Sequence, residues 1–124
     1  MDAKPRPGKP GGQQTGQGRS LTEDGLRQLE EILRKAGSGG PVESTSHFKM
    51  RAAQRKFTTP EVLGVLKRGV VVGKPEFCPD FCNWKFSVEG EHDNGILVIV
   101  ASVSAGDKGQ VWSGSVLLIT GYVR

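Results

Sequence analysis

Residues 46–72, which read SHFKMRAAQRKFTTPEVLGVLKRGVVV, decide the fold because the spacing of the apolar residues changes along this stretch. Met50, Ala53 and Phe57 recur at helical spacing, and the hydroxyl of Ser46 before them can cap a helix. The first half of the stretch therefore predicts a short helix with one apolar face.

The second half of the stretch predicts another helix followed by a strand. Thr58 and Glu61 have the spacing of a capping box, in which a hydroxyl and a carboxylate satisfy free N–H groups at the start of a helix. Proline is tolerated in a first turn and Gly69 is a natural stop, so we expect a helix over Pro60–Arg68. The β-branched run Val70–Val72 then favours a strand.

The rest of the chain favours β-structure. Apolar and polar residues alternate from Trp84 to Glu89, and Ile96–Val103 is a continuous apolar run typical of a central strand covered on both faces. Val111–Val123 supplies a last strand or pair of strands, with bends at Gly114 and Gly121. The sequence thus predicts an α+β domain, in which two short N-terminal helices pack on an antiparallel sheet of about four strands.

Two further segments precede this domain. Residues 1–19 are rich in Gly, Pro and Gln and nearly free of apolar residues, so we expect a disordered basic tail. Residues 20–41 hold an amphipathic helix over Leu21–Ala36, with Ser20 and Glu23 as its capping box, and a Gly-rich linker that would let this helix stand apart. The compact domain is then expected over residues 42–124.

Composition narrows the class of protein. The net charge is +4, from 17 Lys and Arg against 13 Asp and Glu, so an anionic partner such as RNA is favoured, although the tail contributes part of the excess. No apolar run is long enough for a membrane span, and the basic start is not followed by the apolar core of a signal peptide. The predicted compartment is the cytoplasm.

His47, Arg51 and Arg55 are spaced four and four, which places them along one edge of the first short helix, here called the basic stripe. Arginine matches phosphate oxygens with a planar fork of donors, and histidine exchanges a proton near neutral pH. This combination suits metal-independent RNA cleavage, in which His47 could serve as base or acid. The alternative is that the stripe is an ordinary solvated helix face, or that its arginines pair with acidic turns.

Three motifs resemble a known family. Residues 46–55 combine one histidine with two arginines, residues 58–62 read TTPEV with Gly69 at the end of their helix, and residues 119–122 read ITGY. Over about Ser46 to Val123 the chain is similar to a small bacterial domain family of unknown function. That family is grouped with the ribonuclease fold of barnase, EndoU, colicins and RelE (BECR), and similar domains occur as toxins of toxin–antitoxin pairs.

The resemblance implies a metal-independent endoribonuclease without a cofactor. Carried over by position, it makes His47, Arg51 and Arg55 the catalytic helix residues and presents Thr120 and Tyr122 from the last strand. Thr120 would orient phosphate, and Tyr122 would stack on a base or donate a proton. It also implies an antitoxin or other protein partner. A non-catalytic RNA-binding or protein-binding module on the same fold stays open.

Other residues give weaker signals. Cys78, Cys82 and His92 are candidate zinc ligands, but the cysteine spacing is not that of a zinc ribbon and a fourth ligand is missing, so no metal site is expected. A reversible disulfide is the alternative for the two cysteines. The remaining expectations are core packing for the tryptophans and solvation for the acidic residues near turns: Trp84, Trp112, Glu89, Glu91, Asp93 and Asp107.

Overall fold

The computed structural model describes residues 20–93, 95–106, 111 and 114–124. Within these residues the chain forms three helices and then a sheet, so the α+β class is confirmed. The helices are α1 (Glu23–Gly37), α2 (Ser46–Arg55) and α3 (Thr59–Arg68). The strands are β1 (Val42–Ser44), β2 (Val70–Cys78), β3 (Asn83–His92), β4 (Gly95–Ser104) and β5 (Val116–Val123).

The five strands form one mixed sheet in the order β1-β5-β4-β3-β2. Strands β2 to β5 are antiparallel neighbours, whereas β1 runs parallel to β5, with Val42 opposite Val116. An antiparallel sheet of about four strands was predicted, whereas the sheet has five strands and one parallel pair. A strand of three residues is too short to show the alternation by which strands are predicted. Strand β4 is central, as predicted.

The helices cover one face of the sheet. On that face β4 contributes Leu97, Ile99 and Ala101, which are fully buried in the common core. The opposite face, here called the outer face, has no described helix over it. On this face Val98 and Ser102 are nevertheless buried. Cover on both faces of β4 was expected, but the described helices cover only one of them.

Helix α1 does not stand apart from the domain. Leu29 and Leu33 are fully buried in the same core as the sheet, and the Nη1 group of Arg34 donates to the Leu66 carbonyl of α3 at 3.4 Å. The cap also differs from the expectation, since the Thr22 hydroxyl, and not that of Ser20, accepts from the Gly25 amide at 3.0 Å. The linker therefore joins two packed elements.

Helix α3 follows its prediction closely, with both hydrogen bonds of the Thr58 and Glu61 capping box formed. Helix α2 forms where a short helix was predicted, but its N-cap is Thr45 rather than Ser46 and Phe57 lies beyond its end. Its buried side is centred on Phe48 and Ala52. Met50, predicted to be buried, has an exposed fraction of 49%, and Ala53 is exposed as well. The apolar face was assigned to the wrong side of this helix because both sides carry apolar residues at helical spacing.

Two strands contain irregularities. In β2 the pairing with β3 shifts between Val72 and Glu76, and Gly73 takes a left-handed φ of 69°. In β5 the register shifts so that Val100 faces Thr120 while Ala101 faces Leu118, which leaves Ile119 as a bulge. The predicted bend at Gly114 is present, whereas Gly121 pairs regularly with Ile99 and the irregularity of β5 lies at Ile119. Val111 forms an isolated bridge with Ala105.

Several expectations lie outside the described residues, namely those on the tail of residues 1–19, on Asp107 and on Trp112. Trp84 is described and fully buried, as predicted. Among the described helices, none combines the length and the apolar character that crossing a membrane requires.

Candidate functional site

The N-terminus of α2, which carries the basic stripe, is fixed to strand β5 by Thr45. Its hydroxyl accepts from the Phe48 amide at 3.0 Å as the N-cap of α2, and donates to the Ile119 carbonyl at 3.0 Å. Its amide donates to the Leu118 carbonyl at 3.0 Å. The bulge at Ile119 takes that residue out of the pairing with β4, so its carbonyl is available to Thr45.

The buried side of α2 rests on Gly121. A Cβ atom built on this glycine would lie 2.9 Å from Cζ of Phe57 and 3.4 Å from Cε1 of Phe48. The two phenylalanine rings meet edge to face with centroids 5.8 Å apart. The absence of a side chain at Gly121 therefore allows α2 to approach β5 closely, and the basic stripe lies along one border of this contact.

The structure brings His47 and Arg51 together. The Nε group of Arg51 donates to Nε2 of His47 in a long contact of 3.5 Å, and its Nη1 group donates to Oε1 of Gln54 at 3.3 Å. His47 and Arg55 are exposed and Arg51 is half-buried.

No carboxylate in the described part of the chain neutralises the arginines of the basic stripe. Among the described residues, neither Arg51 nor Arg55 contacts a carboxylate, which counts against the interpretation that these arginines pair with acidic turns. Residues 44–60 contain four Lys or Arg and no Asp or Glu, and the first turn of α2 has no acidic residue. The positive end of the helix dipole therefore adds to the charge of the side chains.

Thr120 and Tyr122 do not join the basic stripe. Gly121 between them faces Phe48 and Phe57 on the helix side, and side chains alternate along a strand, so Thr120 and Tyr122 lie on the outer face. The exposed fraction of Tyr122 is 39%. The structure therefore divides the predicted site residues between two sides of β5.

The outer face carries an ion pair, between Arg124 and Glu89, that was not predicted from the sequence. The Nη2 group of Arg124 donates to Oε1 of Glu89 at 2.6 Å, and this hydrogen bond, followed by the charge of Glu89 and that of Tyr122, raises the pKa of Arg124. Glu89 is therefore paired rather than simply solvated as expected. Because β4 lies between β3 and β5, only the register of the sheet makes these residues neighbours.

A groove of about 980 Å³ opens between α3 and the end of β3. In it, Nε2 of His92 lies 2.7 Å from Oε2 of Glu61, an ion-pair distance, although the contact is not aligned as a hydrogen bond. The hydrogen bonds from Thr58 lower the pKa of Glu61, and the charge of His92 lowers it further. Spacing predicted the contact of Glu61 with Thr58 but gave no sign of the one with His92.

The candidate zinc ligands are far apart. Cys78 and Cys82 flank the turn between β2 and β3, while His92 ends β3, about 30 Å further along the strand by its rise per residue. In the described part of the chain no group of three His, Cys, Asp or Glu could hold a metal ion. Both cysteines are free thiols, and Cys82 adopts a left-handed φ of 49°.

Comparison of the chain with protein-family models, with curated proteins and with solved structures finds no significant match.

Proposed function

We propose that this chain is a metal-independent endoribonuclease of the toxin-like type, which binds RNA through the basic stripe on α2. The observation that carries the proposal is that His47 and two arginines share one accessible helix edge without a carboxylate partner among the described residues. Guanidinium groups without a carboxylate partner are suited to phosphate, and an imidazole beside them is suited to proton transfer.

The proposed reaction needs no metal ion. Nε2 of His47 removes the proton from a 2′-hydroxyl, whose oxygen forms a bond to the adjacent phosphorus while the bond from phosphorus to the 5′-oxygen breaks. Arg51 and Arg55 stabilise the charge on the phosphoryl oxygens during this step. Protonation of the leaving 5′-oxygen, by the imidazolium of His47 or by water, gives a 2′,3′-cyclic phosphate and a 5′-hydroxyl end.

The resemblance of residues 46–62 and 119–122 to the BECR-type domain family supports this proposal. It also leads us to propose a bacterial, cytoplasmic setting and an antitoxin or other protein partner. RNA is the partner that the charge of residues 44–60 favours most directly.

Incubation of the purified protein with mixed RNA in EDTA tests the reaction, because EDTA inactivates the metal-dependent nucleases that commonly contaminate preparations. We expect the wild type to release fragments with 2′,3′-cyclic phosphate ends and His47→Ala to be slower by about 10²- to 10⁴-fold. The other histidine of the chain provides the matched control, since His92→Ala should retain cleavage. Equal cleavage by wild type and His47→Ala would contradict the assignment.

A second candidate function is RNA binding without cleavage. The observation that favours it is the position of Thr120 and Tyr122 on the outer face, away from the basic stripe, so that His47 lacks a neighbouring acid from β5. In this case RNA stays intact but binds with an affinity that falls as salt is added. Arg51→Ala with Arg55→Ala should lower the slope of log affinity against log salt by about 1.4, at roughly 0.7 per phosphate contact.

A further inference from the structure

Tyr122 has a different set of neighbours from the one its sequence motif implies. On the outer face it is directly opposite Val98 of β4, which in turn is opposite Glu89 of β3. Arg124 follows two residues later on the same face and reaches across β4 to Glu89. An aromatic ring, a guanidinium and a carboxylate therefore surround the buried side chain of Val98.

These three groups are accessible to a ligand. The side chain of Arg124 has an exposed fraction of 54% and that of Glu89 has one of 20%. Their hydrogen bond joins Nη2 to Oε1 and does not use Nη1 of Arg124 or Oε2 of Glu89. Glu89 also lines the large groove together with Val70, Val72 and Ile96, so the pair lies where a concave surface begins.

We infer that Tyr122, Arg124 and Glu89 form a nucleobase-binding site on the outer face of the sheet, with a preference for guanine. The inference rests on the proposed function, because it identifies the base that is held while the basic stripe contacts the phosphates. The phenol ring of Tyr122 stacks on the base, as aromatic side chains do with unpaired RNA bases.

The polar groups of the site match the edge of guanine. Arginine donors pair with the O6 and N7 acceptors of guanine, and the carboxylate of Glu89 accepts from its N1–H and N2–H groups. Adenine has an amino group where guanine has O6 and lacks the N1 proton. Adenine keeps N7 as an acceptor for Arg124, but it would leave one guanidinium donor unpaired and would take from Glu89 both N–H donors of guanine, and we expect roughly 10- to 100-fold weaker binding.

An RNA strand can connect the two sites past the end of β1. This strand pairs only with Val116–Leu118, so no described strand covers the edge of β5 from Ile119 to Val123. Helix α2 is fixed at the start of that segment through Thr45 and Ile119. A strand with phosphates on the basic stripe can therefore pass over this edge and place a neighbouring base against Tyr122.

Fluorescence anisotropy with labelled uridine-rich oligonucleotides, made 2′-O-methylated to prevent cleavage and carrying one central guanine or adenine, tests the inference on the full chain. We expect the wild type to bind the guanine oligonucleotide more tightly than the adenine one. The two oligonucleotides should bind equally well to each of three variants, Glu89→Gln, Arg124→Ala and Tyr122→Ala. Tyr122→Phe keeps the ring and should keep the preference.

Two controls separate this site from the basic stripe. Glu91→Gln, two residues along the same face of β3, should leave the preference unchanged, and His47→Ala with Arg51→Ala should weaken both oligonucleotides without changing their ratio. Equal wild-type affinity for guanine and adenine oligonucleotides overturns the inference and leaves the proposed function standing. No binding of either oligonucleotide overturns both.

Discussion

At the scale of single residues, Glu61 connects three parts of the structure. Oε1 accepts from the Thr58 amide at 2.8 Å and from its hydroxyl at 3.0 Å, which caps α3. Oε2 meets His92 at the end of β3. Because these contacts are stronger with the ionised carboxylate, Glu61 makes the attachment of α3 to the sheet dependent on pH.

The pKa of Glu61 in the folded protein is lowered from its ordinary value of 4.5, so its contribution to stability is present above pH 4.5 and is lost as pH falls through the folded pKa. We expect the melting temperature of the wild type to exceed that of Glu61→Gln at neutral pH, and the difference to shrink below pH 4.5. Thermal unfolding followed by circular dichroism at a series of pH values measures this. Glu31→Gln, an exposed carboxylate of α1, is the control, and a constant difference for Glu61→Gln would contradict the prediction.

Residue spacing predicted contacts within one element but not between elements. Thr58 and Glu61 are three apart on one helix, so their hydrogen bonds follow from local geometry. The Glu61 contact with His92 and the Arg124 contact with Glu89 depend on how helix and sheet pack and on strand register, which no short pattern encodes. The family resemblance grouped Tyr122 with the basic stripe, whereas the alternation about Gly121 places it on the outer face.

At the scale of elements, the contact between α2 and β5 depends on the missing side chain of Gly121. A methyl group there would approach the Phe57 ring to 2.9 Å and Cδ1 of Ile99 to 3.3 Å, and buried side chains can give way only by shifting the helix. We expect Gly121→Ala to lower the free energy of unfolding by about 1–3 kcal/mol, as overpacking does elsewhere.

Chemical denaturation of Gly121→Ala measures the change. Gly114→Ala is its control, since no atom lies within 4 Å of the added carbon at that position, and its stability should stay close to the wild type. Because α2 carries the basic stripe, Gly121→Ala should also weaken RNA binding under the proposed function. An unchanged denaturation midpoint would show that α2 can move without lowering the free energy of unfolding, and would contradict the prediction.

Elements with strong local signals were predicted well. Helix α3 has a capping box, a tolerated proline and a terminal glycine, and its observed start differs from the prediction by one residue. Helix α2 has apolar residues on opposite sides, so its periodicity alone could not select Phe48 over Met50. Strand β1 has too few residues for a pattern, and the parallel pairing with β5 is set by tertiary structure.

At the scale of the whole molecule, α1 is part of the core. Leu29 and Leu33 are fully buried in one cluster with Leu66 of α3 and Trp84 of β3. Removing a single buried leucine side chain costs about 2–5 kcal/mol, and a domain of this size has about 5–15 kcal/mol in total. The Gly-rich linker therefore does not separate two parts of the chain that fold independently.

A fragment of residues 42–124 tests this conclusion. We expect it to lack a cooperative thermal transition, because it loses Leu29 and Leu33 and exposes the side of α3 that they cover. A chain beginning at Ser20 retains every residue of the core cluster and should unfold cooperatively. Scanning calorimetry of the two chains measures the difference, and a sharp transition in the shorter one would show that α1 is dispensable.

The shift in pairing within β2 affects how the protein aggregates at high concentration. Among the described strands, β2 is the last one on its side of the sheet, and an edge strand can serve as a template for aggregation. Its regular pairing with β3 is interrupted between Val72 and Glu76, where Lys74 adds a charge and Pro75 lacks an N–H donor. A second molecule cannot extend the sheet through this segment with an unbroken ladder of hydrogen bonds, so the edge resists fibril growth.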